Sequence, residues 1–180
     1  MLDIALMNIS PDISFVRLER SDFALVRHIE VAPEQIIYCG TVDMAFASDE
    51  AGIDLYAVRA AGTCVGFFKI DLKYPKTQDF ARDGDLGLRA FMIDRWRQGS
   101  GLGSATLRAL PEFLRKTYPD AQAIVLTVNI RNQVAVRRYL STGFTATGDV
   151  HDGGHAGLQY VMRQMIAPPR SLHISRTMSD

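Results

Sequence analysis

Gln98-Gly99-Ser100-Gly101-Leu102-Gly103 sets three glycines between an apolar, strand-like run, Leu88–Ile93, and a helix-like run, Ser104-Ala105-Thr106-Leu107-Arg108-Ala109-Leu110. A strand that passes through bare backbone into a helix start gathers free N–H donors at the positive end of the helix dipole. That arrangement is a cradle for phosphate. A glycine run alone also marks a tight turn, so its surroundings have to agree. Two familiar phosphate loops do not fit. A Walker loop ends in Gly-Lys-Ser/Thr, whereas Gly103 is followed by Ser104 with no lysine. A dinucleotide fingerprint spaces its glycines Gly-x-Gly-x-x-Gly within a run of βαβ units. Here the third glycine comes one residue early, and the chain before residue 86 does not read as such units. The pattern left is Gln/Arg-x-x-Gly-x-Gly/Ala.

Outward from the loop, alternation and punctuation order the rest. Toward the N-terminus, Ile13–Leu18 alternates as a strand, and Ser21 with Asp22 suits a short helix start. Pro33 fits a first helical position, which predicts one helix over Glu34–Ala47. Leu55–Val58 and Val65–Leu72 read as strands joined by a hairpin at Ala60-Ala61-Gly62-Thr63. Tyr74–Gly84 reads as a loop, and Leu86–Ile93 as the strand that feeds the glycines. Beyond them a helix extends to Tyr118, with Pro111 expected to kink or split it. Ala123–Val128 is a buried strand. Asn132–Thr142 is a helix closed by Gly143, and Phe144–Val150 with Leu158–Met165 forms a last hairpin. The order β-α-α-β-β-β-α-β-α-β-β predicts an α/β (α+β) domain: about seven strands and about four helices. Residues 1–166 are expected to form that one domain, and residues 167–180 a loose tail.

The chain has 180 residues with 20 acids and 20 bases, so no strong field draws it to nucleic acid or anionic lipid. Arg131, Arg137 and Arg138 are too few to read as a nucleic-acid patch. No apolar stretch approaches the ~20 residues of a membrane span, and Met1–Leu6 carries no basic region of a signal peptide. Cys39 and Cys64 have no metal-type spacing and read as reduced, buried thiols of a cytoplasmic protein.

A second constellation supports the first. Asn132, Val136, Tyr139 and Gly143 fall on one helical face. Asn132 can cap that helix and bond an amide-bearing ligand, and Tyr139 offers a phenol from the same side. The sequence Asn-x-x-Ala-x-x-x-Tyr-x-x-x-Gly-Phe is far more specific than a lone tyrosine.

Together, Gln98–Gly103 and Asn132, Ala135, Tyr139, Gly143 and Phe144 resemble the two acetyl-CoA motifs of the GNAT superfamily of N-acetyltransferases, over roughly residues 13–165. Ala32–Gln35, Leu88–Asp94 and Leu126–Asn129 are similar to bacterial members related to spermine/spermidine acetyltransferases. The resemblance implies a mostly antiparallel mixed sheet, splayed between its fourth and fifth strands. It implies acetyl-CoA as co-substrate, its pantetheine paired with the backbone of Phe91, Met92 and Ile93 at a strand bulge. Its pyrophosphate would lie on Gly99, Ser100, Gly101, Leu102, Gly103 and Ser104, flanked by Gln98, with Asn132 alongside. Tyr139 would be the general acid for a thiolate of pKa ~8.5, and an acceptor amine of pKa ~10.4 has a proton to lose. Many relatives take that proton on a glutamate in the strand before the loop. This chain has Arg89 there, so Glu34 and Asp94 are the candidate bases. His151 and His155 lack a third metal ligand, and no metal is expected. The partner implied is a small-molecule amine, polyamine-like or amino-acid-like. An acyl-CoA-binding sensor and an enzyme acetylating protein N-termini or lysines are the alternatives. The resemblance allows a homodimer, with no interface fixed by the sequence.

Overall fold

A computed structural model describes residues 12–153 and 157–166. One seven-stranded sheet is built from β1 (Ile13–Leu18), β2 (Ile53–Ala60), β3 (Thr63–Asp71), β4 (Asp85–Ile93), β5 (Ala123–Asn129), β6 (Thr145–Asp152) and β7 (Leu158–Met165). Their order is β1-β2-β3-β4-β5-β7-β6. Every neighbouring pair is antiparallel except the parallel β4 and β5. The α-helical segments are α1 (Phe23–Val26), α2 (Pro33–Cys39), α3 (Val42–Ala47), α4 (Tyr74–Thr77), α5 (Leu102–Thr117) and α6 (Gln133–Ser141).

Alternate side chains of a strand point to opposite faces, and a strand covered on both is apolar almost throughout. β2 shows both faces filled. Tyr56, Val58 and Ala60 join a core with Leu107, Leu110 and Leu114 of α5. Leu55 and Ala57 join another with Val26, Val42 and Ala45 from α1 and α3. The β2–β3 hairpin turns at Ala61 (φ 47°) and Gly62 (φ 81°), two successive left-handed residues whose twist suits a two-residue connection.

The structure departs from the sequence reading in several places. The expected helix over Glu34–Ala47 is two. Gly40 takes φ 71° after Cys39, and Thr41 Oγ1 accepts a bond from Met44 N–H to start α3. Residues 74–77, expected as loop, form α4. Ser21 does not cap the helix start: it lies inside a turn over Arg20–Asp22 that begins at Glu19, whose N–H donates to Asp22 Oδ2 at 2.8 Å. Pro111 does not divide α5. An interior proline costs about 3 kcal/mol, whereas each fully buried leucine contributes about 1.5–3 kcal/mol. Leu107, Leu110 and Leu114 are all within 1% of complete burial. Cys39 and Cys64 are partly exposed and unpaired. Gly154 and His155 of the last turn, the tail after residue 166 and the first eleven residues lie outside the described residues. No helix among the described residues is long and apolar enough to cross a membrane.

Candidate functional site

β4 and β5 pair only at Asp85–Ala123, Leu86–Ile124 and Gly87–Val125. β4 then runs on to Ile93 and β5 to Asn129 without a shared ladder. The facing edges therefore carry backbone groups that need a partner, and an extended chain of amides can supply one. Gly87, the last paired residue of β4, is a glycine for a steric reason. A Cβ there would meet the Tyr74 ring at 2.4 Å. That ring is buried with Val125 and Val161 and fills the closed end of the V.

Between its end and Gly87, β4 carries a bulge. Phe67 faces Met92 while Lys69 faces Arg89, so Phe68 alone opposes Ala90 and Phe91. Ala90 takes φ 51°, which costs a residue with a Cβ about 1–2 kcal/mol. Such a bulge re-aims the strand that follows, here Phe91, Met92 and Ile93. All three line a cleft of about 830 Å³, as do Thr127, Val128 and Asn129 from β5 and Asn132 and Tyr139 from the α6 side.

The glycine loop leaves this cleft at its end. Gln98 lines it, while Gly99–Ser104 are not among the lining residues and carry the chain out to its rim. Gln98 does not point a free amide at a ligand. Its Nε2 donates to Ile93 O at 2.9 Å, and the amides of Gln98 and Gln35 bond each other reciprocally at 3.0 and 3.1 Å. Gln98 thus ties the loop to β4 and α2. Gly101 is the residue before α5, in the left-handed region at φ 83°. A Cβ on Gly99 or Gly101 would meet nothing within 4 Å, so the space in front of them is open. Gly103 differs: its Cβ would meet the Arg138 guanidinium at 3.0 Å. The first intrahelical bond of α5 is Ala105 N–H to Gly101 O at 3.0 Å. The N–H groups of Leu102, Gly103 and Ser104 lie ahead of it and have no side-chain cap. Arg138 adds a cation beside this turn.

On α6, Asn132 Oδ1 caps the helix by accepting Ala135 N–H at 3.2 Å, and Gly143 closes it at φ 105°. The Tyr139 ring lies 5.3 Å from Phe144 and 6.5 Å from Phe91, centroid to centroid. Its hydroxyl forms no hydrogen bond within the described residues. Burial pushes the phenol well above its ordinary value, with Cys39 adding to the shift and Arg138 opposing it. Tyr139 therefore holds its proton at neutral pH. Cys39 also lines the cleft, and burial pushes its thiol up to about 11.

Neither candidate base lines the cleft. Glu34 is exposed in the first turn of α2. Asp94 is buried at the end of β4, where its Oδ1 accepts Glu30 N–H at 3.2 Å. His151 does line the cleft, from β6, with its ring 5.2 Å from Phe80. Asp43, Asp49, Glu50 and Asp54 lie close together in the sequence but part in the fold. Only Glu50 reaches the cleft, whereas Asp54 is buried on Arg17 and the Tyr118 hydroxyl. Among the described residues, no group of three His, Cys, Asp or Glu suits a metal ion.

Sequence spacing missed a charge cluster on the cleft wall. Glu50 Oε2 accepts from Arg89 Nη1 at 2.8 Å and Glu50 Oε1 from Lys69 Nζ at 3.2 Å. Asp71 Oδ2 accepts from the same Arg89 Nη1 at 3.1 Å. Hydrogen bonds from Ser48 and Arg89 hold the Glu50 carboxyl down at about 2. Three of these residues sit on paired strands, but Glu50 arrives from the segment before β2. No local spacing announces that arrival.

Proteins similar to this chain in sequence or in fold are acetyltransferases. The probable spermine N(1)-acetyltransferase of Bacillus subtilis subsp. natto is 33% identical over 93 residues, 52% of this chain and 60% of that protein. The spermine/spermidine N(1)-acetyltransferase of Bacillus subtilis strain 168 gives the same figures, so the chain matches about three fifths of the length of these relatives. In fold, it superposes on the aminoglycoside acetyltransferase AAC(6')-Ib crystallised with ribostamycin and coenzyme A. That match has a TM-score of 0.70 at 19% identity over 94% of this chain and 99% of that one. Mutant forms of the spermidine/spermine N-acetyltransferase SpeG from Vibrio cholerae give 0.62 at 15% identity, over 86% and 95%. The profile of the acetyltransferase (GNAT) domain matches residues 44–151. With its parallel strands parted at Gly87 and its glycine loop opening α5, the chain belongs to the GNAT acetyltransferase family.

Proposed function

We propose that the protein transfers the acetyl group of acetyl-CoA directly to a primary amine of a small molecule. The observation that carries this reading is the loss of pairing between β4 and β5 beyond Gly87, with uncapped amides of α5 at the rim of the gap that results. The unmatched edge of Phe91, Met92 and Ile93 suits the amides of a pantetheine arm. The amides from Gly99 to Ser104 suit its pyrophosphate, with Arg138 alongside.

In the transfer, the amine lone pair attacks the thioester carbonyl, a C–N bond forms and the C–S bond breaks. A backbone N–H near Phe91–Ile93 stabilises the charge that builds on the carbonyl oxygen. Tyr139, held neutral, donates to the sulfur as it leaves with the electron pair. Because Glu34 and Asp94 do not line the cleft, the ammonium proton passes to water in the open cleft before attack. Residues 1–166 act as a single catalytic domain in this reading.

Calorimetry with coenzyme A, followed by thiol release from acetyl-CoA over a panel of amines, tests it. Binding with amine-dependent release is the expected result. Binding without release by any amine supports a sensor, and no binding removes the cradle.

A further inference from the structure

We infer that the acceptor carries a carboxylate beside its amine, as an amino acid does, and that Arg89 selects it over polyamines. This rests on the acetyltransfer reading above and narrows its substrate class.

A polyamine site needs acids free to meet ammonium groups. Among the described residues, the cleft lining holds two acids, Glu50 and Asp71, against three cations, Lys69, Lys73 and Arg89. Both acids are already engaged by the protein. Glu50 accepts from Ser48 Oγ at 2.5 Å as well as from Lys69 and Arg89. Asp71, only 4% exposed, accepts from Lys73 N–H at 2.9 Å and from Arg89 at 3.1 Å. A polyamine would have to displace partners that the fold holds in place.

The unspent capacity is cationic. Guanidinium carries five N–H donors in a rigid fork. Arg89 meets both acids through Nη1 alone, and its Nε and Nη2 make no hydrogen bond to the described residues. Its side chain is 38% exposed in the cleft wall. The Nε–Nη2 edge fits a carboxylate in two parallel bonds. Arg89 also lies in the right place, between the strand divergence at Gly87 and the bulge at Ala90, two residues before Phe91. A carboxylate held there keeps the amine of the same small molecule near the strand edge where the thioester is expected. Glu50 and Asp71 then act as positioning residues that fix the plane of the fork.

Matched pairs that differ only by the carboxylate test this: lysine against cadaverine, and ornithine against putrescine, with spermidine alongside. The wild-type protein is expected to favour the carboxylated member of each pair by about 10- to 100-fold in kcat/KM, the range for a charged bidentate contact. Arg89→Gln brings that ratio close to one, and Arg89→Lys retains part of it. Equal or reversed ratios in the wild-type protein, or a preference that survives Arg89→Gln, overturn the inference. Should Arg89→Gln not fold, the wild-type ratios still decide. Calorimetry of the same pairs, with and without coenzyme A, separates the two levels. Lysine binding that depends on Arg89 without any turnover upholds the carboxylate site and sinks acetyl transfer. Turnover of spermidine with lysine inert does the reverse.

Discussion

Tyr139 shows how one side chain is prepared by its surroundings. Burial beside Phe91 and Phe144 raises the cost of ionising the phenol, so it keeps its proton at neutral pH, as the general-acid role proposed for it requires. Tyr139→Phe keeps the ring and removes the donor. Turnover is expected to fall by about 10²–10⁴-fold with coenzyme A affinity little changed, measured by thiol release and calorimetry on one preparation. Glu50 is prepared in the opposite sense. Its carboxyl is held down at about 2, first by Ser48 and then by Arg89. A carboxyl lowered by folding stabilises the protein above its ordinary value near 4.5, and that contribution is lost as pH falls toward 2. Glu50→Gln should flatten the loss of stability across that window and change its slope little at higher pH, as followed by urea unfolding at stepped pH. Spacing along the chain singled out Tyr139, but it did not show the pairing of Glu50 with Arg89. Tyr139 shares a helical face with Asn132, and such spacing is written in the chain. Glu50 meets Arg89 across 39 residues, and only the folded sheet closes that distance.

Among the elements, the turn into α5 was readable because each part needs a particular residue type. Gly101 sits at φ 83° with open space before it, and a β-branched residue is strained in that region. Gly101→Val should weaken coenzyme A binding strongly in calorimetry while the circular dichroism of the fold persists, since Gly101 itself is exposed. Unchanged affinity with an intact fold removes the cradle. Gly103 belongs to the same glycine run, but its constraint is different: an added Cβ would meet the Arg138 guanidinium at 3.0 Å, an approach of α6 to α5 that no local rule anticipates. The break between α2 and α3 escaped for a related cause. The single helix expected over Glu34–Ala47 runs across Gly40 and the β-branched Thr41 and Val42. The chain uses that glycine to turn, and Thr41 restarts the helix.

At the scale of the whole molecule, the parting of β4 from β5 leaves the sheet as two halves, β1–β4 and β5–β7-β6, joined by three residue pairs. The seven strands and their order along the chain were legible from alternation and turns, and the family resemblance implied the splay, but the narrowness of that join was not legible, because it depends on which backbone groups fail to meet. Such a join needs reinforcement, and the structure places it at the closed end. Asp85, the first residue of β4, is fully buried at its side chain and forms an ion pair with Arg163 of β7, across the intervening β5. Arg82 N–H also donates to Asp85 Oδ2 at 2.8 Å. Removing one partner of a buried pair strands the other charge and costs about 3–5 kcal/mol. For a domain of this size each kcal/mol moves Tm by about 2–4 °C. Arg163→Leu is therefore expected to lower Tm by about 6–20 °C in a thermal melt. The double variant Asp85→Asn/Arg163→Leu removes the stranded charge as well and should recover part of the loss. If Arg163→Leu leaves Tm unchanged, the two halves are held by the core they share on α5, and the ion pair is incidental to the join.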